Sequence, residues 1–381
     1  MKLISKLPDL ETTIFSVMSK LASENNAINL SQGFPDFKID PELSELIYKA
    51  STEGHNQYAL MSGMKSLRDG ISDVIKNIYN REVDPDSEIT ITSGATEALY
   101  AAISAVVSPG DEVIMFDPAY DSYEPAVKLN QGIPVRIPLT FPEYKIDHEK
   151  LLTAINKKTK LIILNTPNNP AGSLISKEDI ELLKEIVSKH DIYIISDEVY
   201  EHIVFDNEKH YSMLTEDELY KRSFVISSFG KTFHITGWKV GYCTAPAELT
   251  SEFRKIHQFL TFSTSTPSQF ALSEYIKNID RIKQLGKFYQ SKRDLFLELI
   301  NGTGFKPLGC SGTYFQLLDY SDLTDENDYD FAVRLTKEFK VASIPVSVFY
   351  QNNTDNKVLR FCFAKEDETL RQAAELLKTV K

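Results

Sequence analysis

The chain has 381 residues, which is enough to bury a large core and to form two domains, or one large domain with a smaller companion. Hydrophobic residues make up 42% of it and charged residues 25%, and no apolar run is long enough to cross a bilayer, so we expect no membrane insertion. The formal net charge of −12 argues against nucleic acid as a partner, and an anionic ligand would need a local cluster of donors.

The start of the chain and its cysteines indicate the compartment. Met1–Phe15 carries polar residues and Pro8 where a signal peptide would have an apolar stretch. Cys243, Cys310 and Cys362 lie far apart without a CxxC pair, as is typical of proteins in a reducing environment. We therefore predict a cytoplasmic protein.

The N-terminal part is predicted to be helical and the middle of the chain to form a sheet. An amphipathic pattern over Thr12–Glu24 predicts a helix, and the turn at Gly33–Asp36 connects it to the main body. Short apolar runs then alternate with helical stretches, which predicts an α/β fold with a mostly parallel sheet between helices. The runs are Ile89–Thr92, Val113–Phe116, Leu161–Leu164, Ile192–Ser196, Phe224–Ser227 and Val240–Thr244.

Polar clusters follow five of these runs. In a parallel sheet, ligands bind beyond the carboxyl ends of the strands, so we expect the five loops to converge on one site. The clusters are Ser93–Thr96, Asp117–Tyr120, Asn165–Pro170, Asp197 and Ser228–Lys231.

The first cluster joins a strand to a helix. The free backbone N–H groups and the positive dipole end of such a helix suit a phosphate, and Gly94 would let it approach the main chain. The alternative is an ordinary capped turn with Ser93 or Thr96 as the cap. By itself, this segment does not decide between the two.

Asp197 follows four apolar residues, Ile192–Ile195, and Ser196 at the carboxyl end of a predicted buried strand. A buried carboxylate requires a cation or hydrogen-bond donors, and a protonated pyridine nitrogen would supply the cation. A helix N-cap is the alternative. The preceding Asn165–Pro170 is a rigid loop whose amide could reach a ring hydroxyl, although by itself it could be only a turn.

Lys231 follows a strand and a glycine turn, and Lys239 comes eight positions later after Gly237-Trp238. A lysine amine in a lined pocket can attack a carbonyl and form a Schiff base. Isolated lysines are usually solvated surface charges, but the flanking Ser, Gly and Trp residues favour the functional interpretation here.

The part after Pro267 is predicted to be an α+β appendix, with a long helical stretch to about Ile300 followed by strands and helices. Arg360 is flanked by apolar residues in a predicted strand. Its planar guanidinium suits the carboxylate of an α-amino acid. A structural ion pair with an acidic residue is the alternative.

Taken in order, these segments resemble those of class I/II aminotransferases of the fold-type-I pyridoxal-phosphate superfamily, in the branch of methionine and kynurenine aminotransferases. Within that branch, the chain most resembles bacterial methionine aminotransferases, through Phe116–Tyr123 and Ser228–His234. The likeness extends almost from end to end. Its further motifs are Asn29–Phe37, Asn56–Tyr58, Gly94–Leu99, Asn165–Pro170, Ser196–Tyr200, Ser227–Tyr242 and Arg360–Ala364.

The resemblance implies a role for each matching residue. Lys231, Asp197 and Tyr200 would be catalytic, with Lys231 forming the Schiff base with pyridoxal 5′-phosphate and Asp197 pairing with its ring nitrogen. Lys239 stands where many relatives carry arginine. The other implied cofactor-binding residues are Asn169 and Tyr200 at the ring oxygen, Tyr120 stacked on the ring, and Gly94, Ala95, Thr96, Ser228, Lys239 and the partner subunit's Tyr58 at the phosphate.

The substrate carboxylate would lie at Arg360, Gly33 and Asn169, and the side-chain pocket would contain Phe15 and, from the partner subunit, Phe262. We therefore predict a homodimer with shared sites that transfers the amino group of methionine or an aromatic amino acid to a 2-oxo acid in two ping-pong half-reactions. The alternative is a cysteine-conjugate β-lyase with the same cofactor residues.

Two further expectations concern domains and metals. We predict a large cofactor-binding domain over residues 46–285 and a small domain formed by residues 1–45 and 286–381. The seven histidines show no metal-ligand spacing, so we expect no metal site, and we expect His202, His210, His234 and His257 to be surface or packing residues.

Overall fold

The computed structural model describes residues 4–381, so the first three residues of the predicted small domain lie outside it. Its N-terminal part is helical apart from one short strand. Thr13 caps the first helix by accepting a hydrogen bond from the Ser16 backbone N–H, which confirms a helix within the predicted Thr12–Glu24. These elements are α1 (Ile14–Glu24), β1 (Ile28–Asn29), α2 (Pro41–Thr52) and α3 (Lys65–Tyr79).

A seven-stranded sheet forms the centre of the molecule, in the spatial order β2-β8-β7-β6-β5-β3-β4. All of its strands run parallel except β8, which pairs antiparallel with both of its neighbours. The prediction of a mostly parallel sheet is thus confirmed. The strands are β2 (Ile89–Thr92), β3 (Glu112–Asp117), β4 (Ile133–Pro138), β5 (Thr159–Asn165), β6 (Tyr193–Asp197), β7 (Ser223–Ser228) and β8 (Gly241–Thr244).

Helices cover both faces of this sheet, and hydrophobic residues pack against it on each side. Among residues 4–381, no helix is both long and apolar enough to cross a bilayer. The helices of this part are α4 (Gly94–Val106), α5 (Tyr123–Leu129), α6 (His148–Ala154), α7 (Lys177–Lys189), α8 (Asp217–Tyr220), α9 (Phe229–Thr232), α10 (Ala247–Leu260) and α11 (Thr266–Tyr275).

The C-terminal part contains a second, smaller sheet with the order β12-β13-β10-β9, while β1 pairs with β11. Its hydrophobic core also contains Met18 and Leu30 from the N-terminal segment. The long helical stretch expected after Pro267 is divided into three helices. The elements are α12 (Asp280–Lys283), α13 (Leu285–Leu299), β9 (Lys306–Pro307), β10 (Phe315–Asp319), α14 (Asp328–Glu338), β11 (Val341–Ala342), β12 (Ile344–Pro345), β13 (Val358–Cys362) and α15 (Asp367–Leu377).

Candidate active site

A cavity of about 280 Å³ opens at the carboxyl edge of the large sheet. It lies between that edge and the small sheet, because strands β6 and β13 both contribute lining residues. Most of the residues singled out in the sequence line it. They are Phe15, Gly33, Gly94, Ala95, Thr96, Tyr120, Asn169, Asp197, Tyr200, Ser228, Lys231, Lys239 and Arg360.

One end of the cavity is a cradle of positive and N–H groups. Helix α4 begins at Gly94, whose φ of +74° favours glycine, and Ser93 makes no side-chain capping bond there. Thr96 lies inside the helix, so neither residue considered as the side-chain cap of this turn acts as one. A Cβ atom on Gly94 would lie 3.2 Å from Lys239 Nζ. The free N–H groups of the first turn, the ammonium and the nearby Ser228 hydroxyl are the donors that a phosphate requires.

Asp197 lies at the end of β6 and is buried. The Tyr123 hydroxyl donates a hydrogen bond of 2.6 Å to Asp197 Oδ2, and the Val199 backbone N–H donates one of 3.4 Å to Oδ1. A turn rather than a helix follows Asp197, so it is not a helix N-cap. Burial raises the pKa of this carboxyl to about 6, against the opposing effect of the Tyr123 hydrogen bond.

The Lys231 amine reaches the cavity from α9, directly after β7. It donates hydrogen bonds to the Tyr314 hydroxyl at 2.8 Å and to the Gly33 carbonyl at 3.2 Å. Burial lowers the pKa of this amine to about 8, although Asp197 and Cys362 favour the charged form. The amine is therefore far easier to deprotonate near neutral pH than a solvated lysine.

Arg360 points into the cavity from β13 and is fully buried. Its Nη1 donates to Asn169 Oδ1 at 2.8 Å and its Nη2 to the Ser31 carbonyl at 2.9 Å, whereas Nε has no hydrogen-bond partner within residues 4–381. No carboxylate of the described chain forms an ion pair with it, so the structural ion pair considered above is not observed. Burial lowers its pKa to about 10.

Aromatic rings enclose the Arg360 guanidinium. Its central carbon lies 3.9 Å from the Phe315 ring centre, 5.1 Å from that of Phe15 and 5.8 Å from that of Phe349. The Phe349 carbonyl accepts hydrogen bonds from the Arg136 guanidinium at 2.6 Å and the Ala119 backbone N–H at 2.9 Å. These bonds connect the aromatic wall to the edge of the large sheet.

Tyr58 and Phe262 do not line the cavity. Their rings contact each other edge to face at 5.4 Å and are exposed, Tyr58 by 83%. Leu60 and Phe259 are exposed near them in the sequence, by 69% and 86%. Both residues were predicted to act on the partner subunit's site, and this remains a prediction.

Sequence reasoning missed the contacts of three residues at the site. Tyr123 contacts Asp197, Tyr314 contacts Lys231, and Phe315 stacks on Arg360. Tyr123 ends the Phe116–Tyr123 motif of the resemblance, but nothing in the sequence indicates that its hydroxyl contacts Asp197. Tyr314 and Phe315 could have been found from the pairing of β10 with the strand that carries Arg360, which the sequence does not reveal.

Comparisons with known proteins identify the family and the fold of the chain. The family model described as "Aminotransferase class I and II" matches residues 25–377. The methionine aminotransferase of Escherichia coli K12 is 47% identical over 375 residues, covering 98% of this chain and 97% of that protein. Kynurenine–oxoglutarate transaminase 3 of Rattus norvegicus is 36% identical, covering 98% and 89%. A solved E. coli structure, reported with a methionine aminotransferase function, matches with a TM-score of 0.97 and 47% identity, covering 99% of each chain.

Proposed function

The chain belongs to the class I and II aminotransferase family, and from this premise we propose that it transfers the amino group of methionine or an aromatic L-amino acid to a 2-oxo acid. Members of this family use pyridoxal 5′-phosphate, which when bound provides an aldehyde and an electron-withdrawing ring that makes the substrate α-proton acidic. The observation that carries the proposal is the convergence of Lys231, Asp197 and Arg360 on one cavity.

The donor set of the cavity supports binding of this cofactor. We assign the phosphate to the cradle formed by Gly94, Ala95, Thr96, Ser228 and Lys239. The ring nitrogen is assigned to Asp197, whose carboxylate has no cationic partner within 3.5 Å in the described chain. The ring oxygen is assigned to Asn169 and Tyr200, and the ring face to Tyr120, all of which line the cavity.

Lys231 is assigned two tasks: covalent attachment of the cofactor and proton transfer. A pKa of about 8 leaves a substantial fraction of the amine neutral at physiological pH, and only the neutral amine can attack an aldehyde or accept a proton. Once freed from the cofactor, Lys231 Nζ would be the base that takes the α-proton of the substrate and the acid that gives it back, and its flexible side chain suits both tasks.

The substrate is assigned by the charges and rings around it. Arg360 lines the cavity and offers its guanidinium to the substrate carboxylate. Phe15 lines the cavity next to that receptor and offers an apolar surface, and the buried Phe349 ring supports it at a centre distance of 5.8 Å. Apart from Lys231, Lys239 and Arg360, to which other roles are assigned, no cationic side chain among residues 4–381 lines the cavity to bind a second carboxylate of an acidic substrate. An apolar side chain such as that of methionine is therefore preferred.

Two further parts of the proposal concern assembly and compartment. We propose a homodimer in which Tyr58 and Phe262 of each chain complete the other chain's site, because both rings are exposed and lie outside their own cavity. We also propose that the enzyme acts in the cytoplasm, where its thiols Cys243, Cys310 and Cys362 stay reduced.

Replacement of the attachment residue tests the proposal directly. Lys231→Ala is expected to abolish turnover and the visible absorbance of the attached cofactor, while Lys239→Arg, which keeps a cation at the phosphate, is expected to retain both. Absorbance spectra and a coupled transamination assay measure these effects. A Lys231→Ala protein that kept the absorbance and the activity would refute the assignment.

A panel of amino donors tests substrate class. Methionine and aromatic amino acids are expected to be better donors than aspartate, and aspartate as the best donor would contradict the proposal. Incubation with a cysteine conjugate in the absence of a 2-oxo acid tests the β-lyase alternative. Release of pyruvate and ammonia at a rate above that of transamination would favour the lyase.

A further inference from the structure

The free amine of Lys231 lies against a tyrosine whose hydroxyl can act toward it only as an acceptor. Tyr314 Oη donates a hydrogen bond of 2.6 Å to the Gly33 carbonyl. A phenol has one proton, and since that proton is committed to the carbonyl, its oxygen accepts the 2.8 Å bond from Lys231 Nζ. Nζ also donates to the Gly33 carbonyl at 3.2 Å, which closes a triangle of three polar groups.

We propose that Tyr314 is a positioning residue for the reaction, which together with the Gly33 carbonyl holds the freed amine of Lys231 and orients its lone pair. The inference rests on the proposed function of Lys231. A neutral amine has two N–H bonds and one lone pair. Two acceptors engage both N–H bonds, so the lone pair is left without a protein partner among the described residues and is available to the reacting atoms in the cavity.

Packing alone does not explain the hydroxyl. The Tyr314 ring is fully buried against the rings of Phe315, Tyr200 and Tyr289, at centre distances of 4.9, 5.1 and 5.6 Å. A phenylalanine would preserve these ring contacts. The hydroxyl adds the bonds to Lys231 and Gly33 and a side-chain interaction with Tyr200. The lysine side chain, which has four rotatable bonds, gains most from such an anchor.

The same contact affects the charge of the amine. Because the Tyr314 oxygen accepts a hydrogen bond from the ammonium form, its loss should lower the pKa of Lys231 below the present value of about 8. Other titratable or charged groups also face this amine, but a substitution of Tyr314 alone leaves their effect on its pKa unchanged. They are Asp197, Tyr200, Lys239, Arg360 and Cys362.

Tyr314→Phe tests the proposal, with Tyr289→Phe as the matched control. Tyr289 is equally buried, and its substitution removes a hydrogen bond of 2.7 Å between its hydroxyl and His234 Nδ1. Among the hydrogen bonds of residues 4–381, none joins the Tyr289 hydroxyl to Lys231. The full-length protein is freed of cofactor, and the rate at which it captures pyridoxal phosphate is followed by absorbance as a function of pH. In Tyr314→Phe, the midpoint of this profile should move to lower pH by about 0.5 to 1.

A second readout is a single half-reaction of the loaded protein with methionine. Tyr314→Phe should lower the maximal rate of this step by about 5- to 30-fold. The methionine concentration that gives half of the maximal rate should change by less than about two-fold, because the substitution leaves the carboxylate receptor intact. Tyr289→Phe should change neither the midpoint nor the rate. If the two variants behave alike, the proposal is overturned. If the Lys231→Ala protein captures cofactor as the wild type does, the proposed function itself fails.

A measurement on the wild type needs no substitution. In a crystal structure with pyridoxamine phosphate, in which Lys231 is free, Nζ should lie within about 3.2 Å of Tyr314 Oη. A lysine turned away from Tyr314 in that state would overturn the proposal even if Tyr314→Phe did not fold.

Discussion

Asp197, Lys231 and Arg360 line one cavity, and none of them has a salt-bridge partner within residues 4–381. Burial of an uncompensated charge costs several kcal/mol, so the cofactor-free protein carries this cost at its active site. The proposed ligands have complementary charges: a ring cation at Asp197 and a substrate carboxylate at Arg360. Ligand binding should therefore stabilise the protein strongly.

The carboxyl of Asp197 makes this cost measurable as a function of pH. Its folded-state pKa of about 6 is higher than the usual 3.8, so its contribution to stability is fully present below pH 4 and is lost as pH rises through 6. Asp197→Asn, which stays neutral, should stabilise the cofactor-free protein by up to about 3 kcal/mol at pH 8 and by little at pH 4.

Chemical denaturation at several pH values, with and without pyridoxal phosphate, measures this effect. With saturating cofactor, the order should reverse, because only the carboxylate pairs with the ring cation. Equal stability of the two cofactor-free proteins at pH 8 would show that the charge of Asp197 is not costly.

The residues that could be found from the sequence are those whose chemistry is unusual for their position. A carboxylate after four apolar residues, a lysine after a glycine turn and an arginine within an apolar strand each attract attention because burial penalises them. Tyr123 and Tyr314 could not be found in this way. A tyrosine near a strand is ordinary core material, and its hydrogen-bond partner is known only from the fold.

At the scale of elements, apolar runs identified the buried strands but missed β4. This edge strand contains Pro134, Arg136 and Pro138, and much of it is partly exposed, so it has no apolar run. The antiparallel direction of β8 was also not predicted, since strand direction depends on the connection and not on local composition. The alternation of strands and helices was sufficient for the fold class.

The junction of β2 and α4 offers a prediction at this scale. Gly94→Ala should strain a left-handed backbone position and put a Cβ 3.2 Å from Lys239 Nζ. Gly110→Ala is the matched control, because its φ is +88° and a Cβ there meets nothing within 4 Å. Both variants should lose about 1 kcal/mol of stability. Only Gly94→Ala should also weaken cofactor affinity, by about ten-fold or more in an absorbance titration. If Gly94→Ala and Gly110→Ala bound the cofactor with equal affinity, the phosphate would have to bind elsewhere.

For the whole molecule, we keep the proposal of a large domain over residues 46–285 and a small domain of residues 1–45 and 286–381. The core around the small sheet includes Met18 and Leu30 together with C-terminal residues, which favours this division. The exposed rings of Tyr58, Phe259 and Phe262 favour the proposed dimer, since exposed apolar groups close together commonly mark an interface.

Shared sites predict complementation between two defective chains. Tyr58→Phe should weaken cofactor affinity by about ten-fold or more through loss of a bond to the partner's phosphate, whereas Tyr48→Phe, a similarly exposed tyrosine, should not. In a hybrid dimer of Tyr58→Phe and Lys231→Ala chains, one site has both residues intact. Activity measured at a limiting cofactor concentration should therefore rise when the two variants are unfolded and refolded together. An activity equal to the sum of the separate variants would argue against shared sites.

The order of residues along the chain has a consequence for biosynthesis. Lys231 precedes Arg360, which arrives on β13 among the last elements to leave the ribosome. A nascent chain that ends before β13 therefore contains Lys231 but neither the proposed receptor of the substrate carboxylate nor the strand that completes the walls of the cavity. Because burial lowers the pKa of this amine, its reactivity and the proposed selectivity should appear together, once the final strand has been translated and has folded onto the small sheet.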